Sequence, residues 1–146
     1  MRTLAIDPGS RRIGLALSDS AGRLATPYAV LQISSPQDAI TQILKIIEKE
    51  GVDRLVVGIP LNMLGPPGPS AKSAADFGRA LATRSGKPLV LIDERLSSFQ
   101  AEQDLITRKR GGEKITRKQK KSRLDALAAT VFLQAFLDGK LTELKL

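Results

Sequence analysis

The chain has 146 residues, 42% hydrophobic and 3% aromatic, with 23 Lys and Arg against 15 Asp and Glu for a formal net charge of +8, and it contains neither cysteine nor histidine. Those two absences exclude disulfides, a thiolate nucleophile, a Ser-His-Asp triad, a histidine base and the usual Cys/His zinc site. No apolar run is long enough to span a membrane, since LDALAATVFLQAFL is broken by Asp125 and Gln134, and Asp7 falls where a signal peptide needs its apolar core, so one cytoplasmic domain is expected over residues 1-140 with a short tail at 141-146.

Leu4-Ala5-Ile6 is a short unbroken apolar run, as expected of a strand covered on both faces, and it ends in Asp7. Pro8-Gly9-Ser10 is a turn signal. Ile13, Leu15 and Leu17 then alternate with Gly14, Ala16 and Ser18, which predicts a second strand with one bulky and one small face. A helix can approach the small face closely, with Asp7 at the mouth of the crevice between hairpin and helix. An Asp before Pro-Gly is equally ordinary turn chemistry, so Asp7 is a candidate site residue only if its context agrees.

Tyr28 to Leu31 reads as a short third strand. Ser35-Pro36-Gln37-Asp38 opens a helix, with Ser35 as N-cap and Pro36 at its first position, followed by Ile40, Ile43, Leu44 and Ile47 at helical spacing and closed by Gly51. Leu55 to Ile59 is an apolar strand stopped by Pro60, and a helix between two strands implies a parallel crossover. PLNMLGPPGP follows at the strand's carboxyl end, where loops line the ligand crevice of open α/β sheets. Asn62 in that loop suits a phosphate or sugar, or the loop is a stiff connection.

Ser70 to Ser85 predicts a second helix with a small inner side (Ala71, Ala74, Gly78, Ala82 beside Phe77 and Leu81), closed by Gly86. Pro88 to Ile92 is a further buried strand, running into Asp93-Glu94-Arg95. Ser97 and Gln100 form a capping-box pattern for a third helix reaching about Thr107. Between Arg108 and Arg123 stand nine Lys or Arg against one acid, Glu113, which leaves 14 basic and 14 acidic residues elsewhere. The whole net charge thus resides in one segment, either a polyanion contact or a solvated loop. The last helix covers about Gln119 to Leu137, with Leu124, Leu127, Ala128, Val131, Phe132 and Ala135 as its apolar face and Asp125 on the flank. A carboxylate there needs a partner, although an acid near a helix start also gains from the macrodipole.

Four blocks of this sequence, IDPGSRRIGLALSD, VVGIPLNM, LIDERLSS and RLDALAAT, resemble in order and spacing the YqgF/RuvX-type proteins, known as Holliday-junction-resolvase-like proteins or pre-16S rRNA nucleases. The resemblance covers essentially the whole chain. It implies an α/β, RNase H-like fold with a five-stranded mixed sheet in the order 3-2-1-4-5, flanked by about four helices. It also implies a site of three acids for Mg²⁺ or Mn²⁺, which fall on Asp7, Glu94 and Asp125, with Asp93 and Asp19 as spare candidates for a fourth carboxylate. Where the family's middle block usually continues with an acid after Met, this chain has Met63-Leu64-Gly65-Pro66-Pro67.

Without histidine or cysteine, hydrolysis at neutral pH is left to carboxylates with a hard cation or to an activated Lys, Ser or Tyr; the expected activity is metal-dependent phosphodiester hydrolysis, in which the cation activates water and shields the leaving oxygen. Arg11, Arg12, Asn62, Arg95, Lys109, Arg110, Lys114, Arg117, Lys118, Lys120 and Lys121 are the candidate contacts to nucleic acid, gripping the backbone without reading bases. Few aromatics leave little for base stacking, so structured RNA or branched DNA is the expected partner, with no membrane, for a monomer or homodimer. The competing readings are a Holliday junction resolvase, a nucleic-acid-binding module without catalysis, and one half of an actin-like ATPase, whose two-domain nucleotide cleft needs a longer chain.

Overall fold

A computed structural model describes residues 1–61, 68–93, 117–141 and 143–145, with side chains in the last helix described from Ala126 onward. Five strands form one sheet in the order β3-β2-β1-β4-β5: β1 Thr3–Asp7, β2 Arg12–Ser18, β3 Ala25–Gln32, β4 Arg54–Ile59 and β5 Leu89–Asp93. The first three are antiparallel neighbours, whereas β1, β4 and β5 run parallel. The carboxyl ends of β1, β4 and β5 therefore share one edge of the sheet with the start of β2. Three helices are described: α1 Pro36–Glu50, α2 Pro69–Ser85 and α3 Arg117–Leu137. The helix expected between Ser97 and Thr107 lies outside the described residues.

Strand periodicity sorts the core into two layers. Leu4, Ile6, Ile13, Leu15, Leu17, Leu55, Val57 and Leu91 point to one side and pack with α1 and α2. Ala5, Ala16, Val56 and Ile92 point to the other, beneath Ala129, Phe132 and Leu133 of α3. The bulky and small faces expected of β2 are thus both present. The small face is where a helix backbone comes close, because alanines leave room for it.

Local chemistry explains the boundaries. The Ser35 Oγ accepts from the Asp38 amide at 3.0 Å and caps α1, with Pro36 in the first turn as expected. Helix α2 starts one residue earlier than expected, at Pro69, with Gly68 as its N-cap. A Cβ at Gly78 would lie 3.2 Å from Val57 Cγ2, so the small inner side of α2 sets its close approach to the sheet.

Three expectations need correction. The third strand is longer than Tyr28 to Leu31, beginning at Ala25 and passing through Pro27. Proline is tolerated there because β3 is an edge strand, and the register shifts by one residue opposite Leu15 and Ala16. The buried stripe of α3 centres on Ala129, Phe132 and Leu133, while Val131 and Ala135 are only partly buried. Apolar spacing alone does not separate these positions; the helix seats on the small face of the sheet, at Ala5 and Ala16. Finally, β5 runs one residue further, to Asp93.

Candidate functional site

Asp7 closes β1 opposite Gly14 of β2 and is partly buried. By strand alternation it shares the face of Ala5, the side covered by α3. Gly9 makes the following turn possible: a Cβ there would come within 2.4 Å of the Arg12 carbonyl oxygen. The Arg11 carbonyl accepts from the Ile33 amide at 3.0 Å, tying the end of this turn to the end of β3. Arg11 is exposed and Arg12 partly buried, so both cations flank the edge on which Asp7 stands.

The two spare carboxylates are elsewhere. Asp93 ends β5 in register with Ile59 and continues the alternation of Leu91, which places it on the α1/α2 side, away from Asp7. Asp19 follows β2 at the opposite end of the hairpin. Its Oδ1 accepts from the amides of Arg23 at 2.8 Å and Leu24 at 3.2 Å, and the Arg23 amide, then that of Leu24, holds its carboxyl below the ordinary aspartate value. Asp19 stabilises the β2–β3 turn and is no fourth member of a site at Asp7.

Asp125 occupies the backbone of α3 one turn before Ala129, the residue seated on Ala5 and Ala16. The helix runs toward the Asp19 end of the sheet, because Gln134 near its finish bonds to Arg23 and Ala25. Its first turns therefore lie toward the Asp7 edge. Arg117, Lys118, Lys120 and Lys121 occupy those turns as backbone positions. Asn62, Glu94, Arg95, Lys109, Arg110 and Lys114 lie outside the described residues. Accordingly, no three carboxylates are seen together among the described residues. No helix among them is long and apolar enough to cross a membrane.

Two residues carry weight that the sequence reading missed. Gln134, read there only as a break in an apolar run, joins α3 to β3 through its side-chain amide. Leu144 donates its amide to the Leu91 carbonyl at 2.7 Å, which covers part of the outer edge of β5. A polar residue inside an apolar helix stripe was the available signal for Gln134; nothing marked Leu144.

Among the described residues a concavity of about 950 Å³ opens between Pro8-Gly9-Ser10, the start of α1 and the start of α2. It lies on the Ile13 face of the sheet, opposite the face of Asp7, and is floored by Ile13, Ile40 and Phe77. It is not the place where Asp7 would act.

A mixed sheet in this order with a long helix across its small face defines an RNase H-like α/β domain. Thermus thermophilus RuvC, solved in complex with a Holliday junction substrate, has the same fold, with a TM-score of 0.57 over 99% of both chains at 16% identity. The chain belongs to the RuvX family, described as Holliday junction resolvase, whose family model matches residues 1–139. A relative from Acidiphilium cryptum, named "Putative pre-16S rRNA nuclease", is 42% identical over 137 residues, covering 94% of this chain and 84% of its own. Another of the same name from Anaeromyxobacter sp. strain Fw109-5 is 41% identical over 140 residues, covering 96% and 98%.

Proposed function

We propose that this chain is a metal-dependent endonuclease that cuts phosphodiester bonds in structured nucleic acid, acting in the cytoplasm on the 5′ end of pre-16S rRNA. The observation that carries the reading is the position of Asp7 at the carboxyl end of β1, on the face covered by α3, the helix whose chain also carries Asp125. The names of the 42% and 41% identical relatives supply the substrate class.

Asp7, Glu94 and Asp125 would hold Mg²⁺ or Mn²⁺, since carboxylate oxygens are the donors that hard divalent cations prefer. Such cations, when bound, activate water and shield the charge that builds on the phosphate and leaving oxygen. Two features support the donor set. Asp7 is partly buried on the α3 face, where a carboxylate gains from a cation. The end of β5 at Asp93, which Glu94 follows in sequence, is separated from β1 by the single strand β4, about 10 Å across the sheet. Cleavage is expected to leave a 5′-phosphate and a 3′-hydroxyl.

Arg11, Arg12, Asn62, Arg95, Lys109, Arg110, Lys114, Arg117, Lys118, Lys120 and Lys121 would grip the backbone. Five Lys or Arg between Arg117 and Arg123 stand at the start of α3, whose first turn holds no acid. Cations at a helix amino terminus oppose its macrodipole, so this placement is unfavourable for the isolated helix and is relieved by a bound polyanion.

The deciding experiment incubates the purified chain with precursor 16S rRNA and with a four-way DNA junction, each with Mg²⁺ or Mn²⁺, beside the Asp7→Asn variant. Trimming of the rRNA that Asp7→Asn abolishes is the expected result. The family description favours a second reading, junction resolution. Symmetric nicking of the DNA junction by a two-fold dimer would establish that instead. Binding without cleavage of either substrate would leave a non-catalytic binding module.

A further inference from the structure

Gln134 is partly buried, with every polar atom of its side chain engaged. Its Oε1 accepts from the Ala25 amide at 2.9 Å, and its Nε2 donates to the Arg23 carbonyl at 2.9 Å and to Asp138 Oδ1 at 3.1 Å. A primary amide has the same donor and acceptor as a peptide group. The side chain thus takes the place of a neighbouring strand at the start of edge strand β3.

These bonds are directional, and they act at one height along the helix. The rest of the seat is mostly apolar, Ala5, Ala16, Val56, Ile92, Ala129, Phe132 and Leu133, with Arg54 of β4 over the Phe136 ring at 4.7 Å, and to this packing Gln134 adds hydrogen bonds that tolerate little sliding. What height Gln134 selects follows from the ladder. Ala25 is in register with Ser18, and Ser18 with Thr3, whose amide donates to Ser18 Oγ at 2.8 Å. Gln134 is therefore level with Thr3. From Thr3 to Asp7 the strand advances about 13 Å at its usual rise. From Gln134 back to Asp125 the helix advances about 13 Å as well. Position 125 therefore lies toward the Asp7 edge of the sheet, by up to that advance since α3 also crosses from β3 over β2 toward β1.

We propose that Gln134 is a positioning residue, clamping α3 to the β3 backbone at the height that sets Asp125 beside Asp7. The inference rests on the reading of those two acids as parts of one cation site. A helix free to move by a fraction of its 5.4 Å pitch would carry the second carboxylate out of a shared coordination sphere.

The test uses the full chain with Mn²⁺ as probe. Gln134→Met keeps the length and packing of the side chain and removes its bonds to Ala25 at the start of β3 and to Arg23 in the turn before it, along with that to Asp138. The expected result is a folded protein in which the Ala25 amide exchanges faster. The Mn²⁺ concentration for half-saturation should rise at least about tenfold, as with lost outer-shell support. The maximal cleavage rate should fall while KM for nucleic acid holds, because the basic segment is unaltered. A Gln134→Met protein with faster Ala25 exchange but unchanged Mn²⁺ affinity and rate would overturn the role, leaving Gln134 a structural clamp. Equal Mn²⁺ binding by the unsubstituted chain and Asp7→Asn would instead overturn the cation site itself, and the proposal with it. Should Gln134→Met fail to fold, Gln134→Glu, which keeps the acceptor for Ala25 and loses the donor to Arg23, is held to the same outcomes.

Discussion

Asp7 and Asp19 stand at opposite ends of one hairpin, the first ending β1 on the α3 face and the second folded back onto the amides of Arg23 and Leu24. Two carboxylates of one sheet therefore have unrelated roles. Replacing Asp7 with Asn should reduce Mg²⁺- or Mn²⁺-dependent cleavage at least about 100-fold, on the scale seen when one charge-stabilising group is lost. The circular dichroism spectrum and melting temperature should hold. Asp19→Asn should do the reverse, lowering the melting temperature slightly with cleavage intact. Cleavage assays and thermal melts on both proteins check the pair.

Gly9 is the residue on which the placement of Asp7 turns. An alanine Cβ would meet the Arg12 carbonyl oxygen at 2.4 Å, and backbone on both sides must shift to admit it. Gly9→Ala should destabilise the chain by about 1–3 kcal/mol, the usual range for overpacking, read from the urea midpoint. Cleavage should fall further than the folded fraction does, because the turn that moves is the one following Asp7.

The small face of β2 gives a third expectation. Ala16 is fully buried under α3 beside Ala129 and Phe132. Ala16→Leu would push the helix outward at a cost of about 1–3 kcal/mol. Leu15→Met, on the opposite face, should cost less than about 1.5 kcal/mol because volume is conserved. Urea denaturation of the two proteins separates the faces; equal losses would show that α3 does not seat on Ala16.

Much of this geometry was legible because local chemistry and global fold agree. Ser35-Pro36, Gly51 and Gly86 punctuate the helices where the coordinates have them. The alternation of Ile13, Leu15 and Leu17 with Gly14, Ala16 and Ser18 foretold two unlike faces. Asp19, a spare candidate for the site on sequence, stands instead beyond the seven-residue strand β2, at the far end of the hairpin from Asp7. What could not be read was tertiary. Val131 and Ala135 are as apolar as Ala129, and only the alanines on the sheet decide which of them is buried. The pairing of Gln134 with Ala25 spans 109 residues and depends on β3 being an edge strand, so its polarity registered only as an interruption. Asp93 and Glu94 are adjacent acids at a strand end, and the alternation through Leu91 assigns Asp93 to the face away from Asp7.

Stability toward acid should carry the signature of two aspartates. The Asp19 carboxyl lies below its ordinary value of 3.8 chiefly through the Arg23 amide, and that of Asp38 chiefly through the Ser34 amide. Both folded values lie below the unfolded one, so the stabilisation is complete above about pH 4 and is lost as pH falls through the folded values. Melting temperatures measured from pH 6 to pH 2 should drop in that window. The drop should be shallower in an Asp19→Asn, Asp38→Asn double variant, and an identical profile would remove these carboxylates from the acid limb.

The charge at the start of α3 predicts a salt dependence that separates grip from chemistry. Each cation that neutralises a phosphate releases condensed counterions, contributing about 0.7 to 0.9 to the slope of log affinity against log salt. If Lys118, Lys120 and Lys121 each contact phosphate, replacing all three with Gln should lower the slope by about 2 to 3 and weaken binding alike for different sequences. The maximal cleavage rate at saturating substrate should stay near that of the unsubstituted chain, since these positions supply grip and no reacting group. Their removal should also ease the opposition between cations and the macrodipole, so the melting temperature without nucleic acid should rise slightly. An unchanged slope in nucleic-acid titrations over a range of salt would show that these lysines face solvent in the complex, and the excess charge would then have to act through the remaining cations between Arg108 and Arg123.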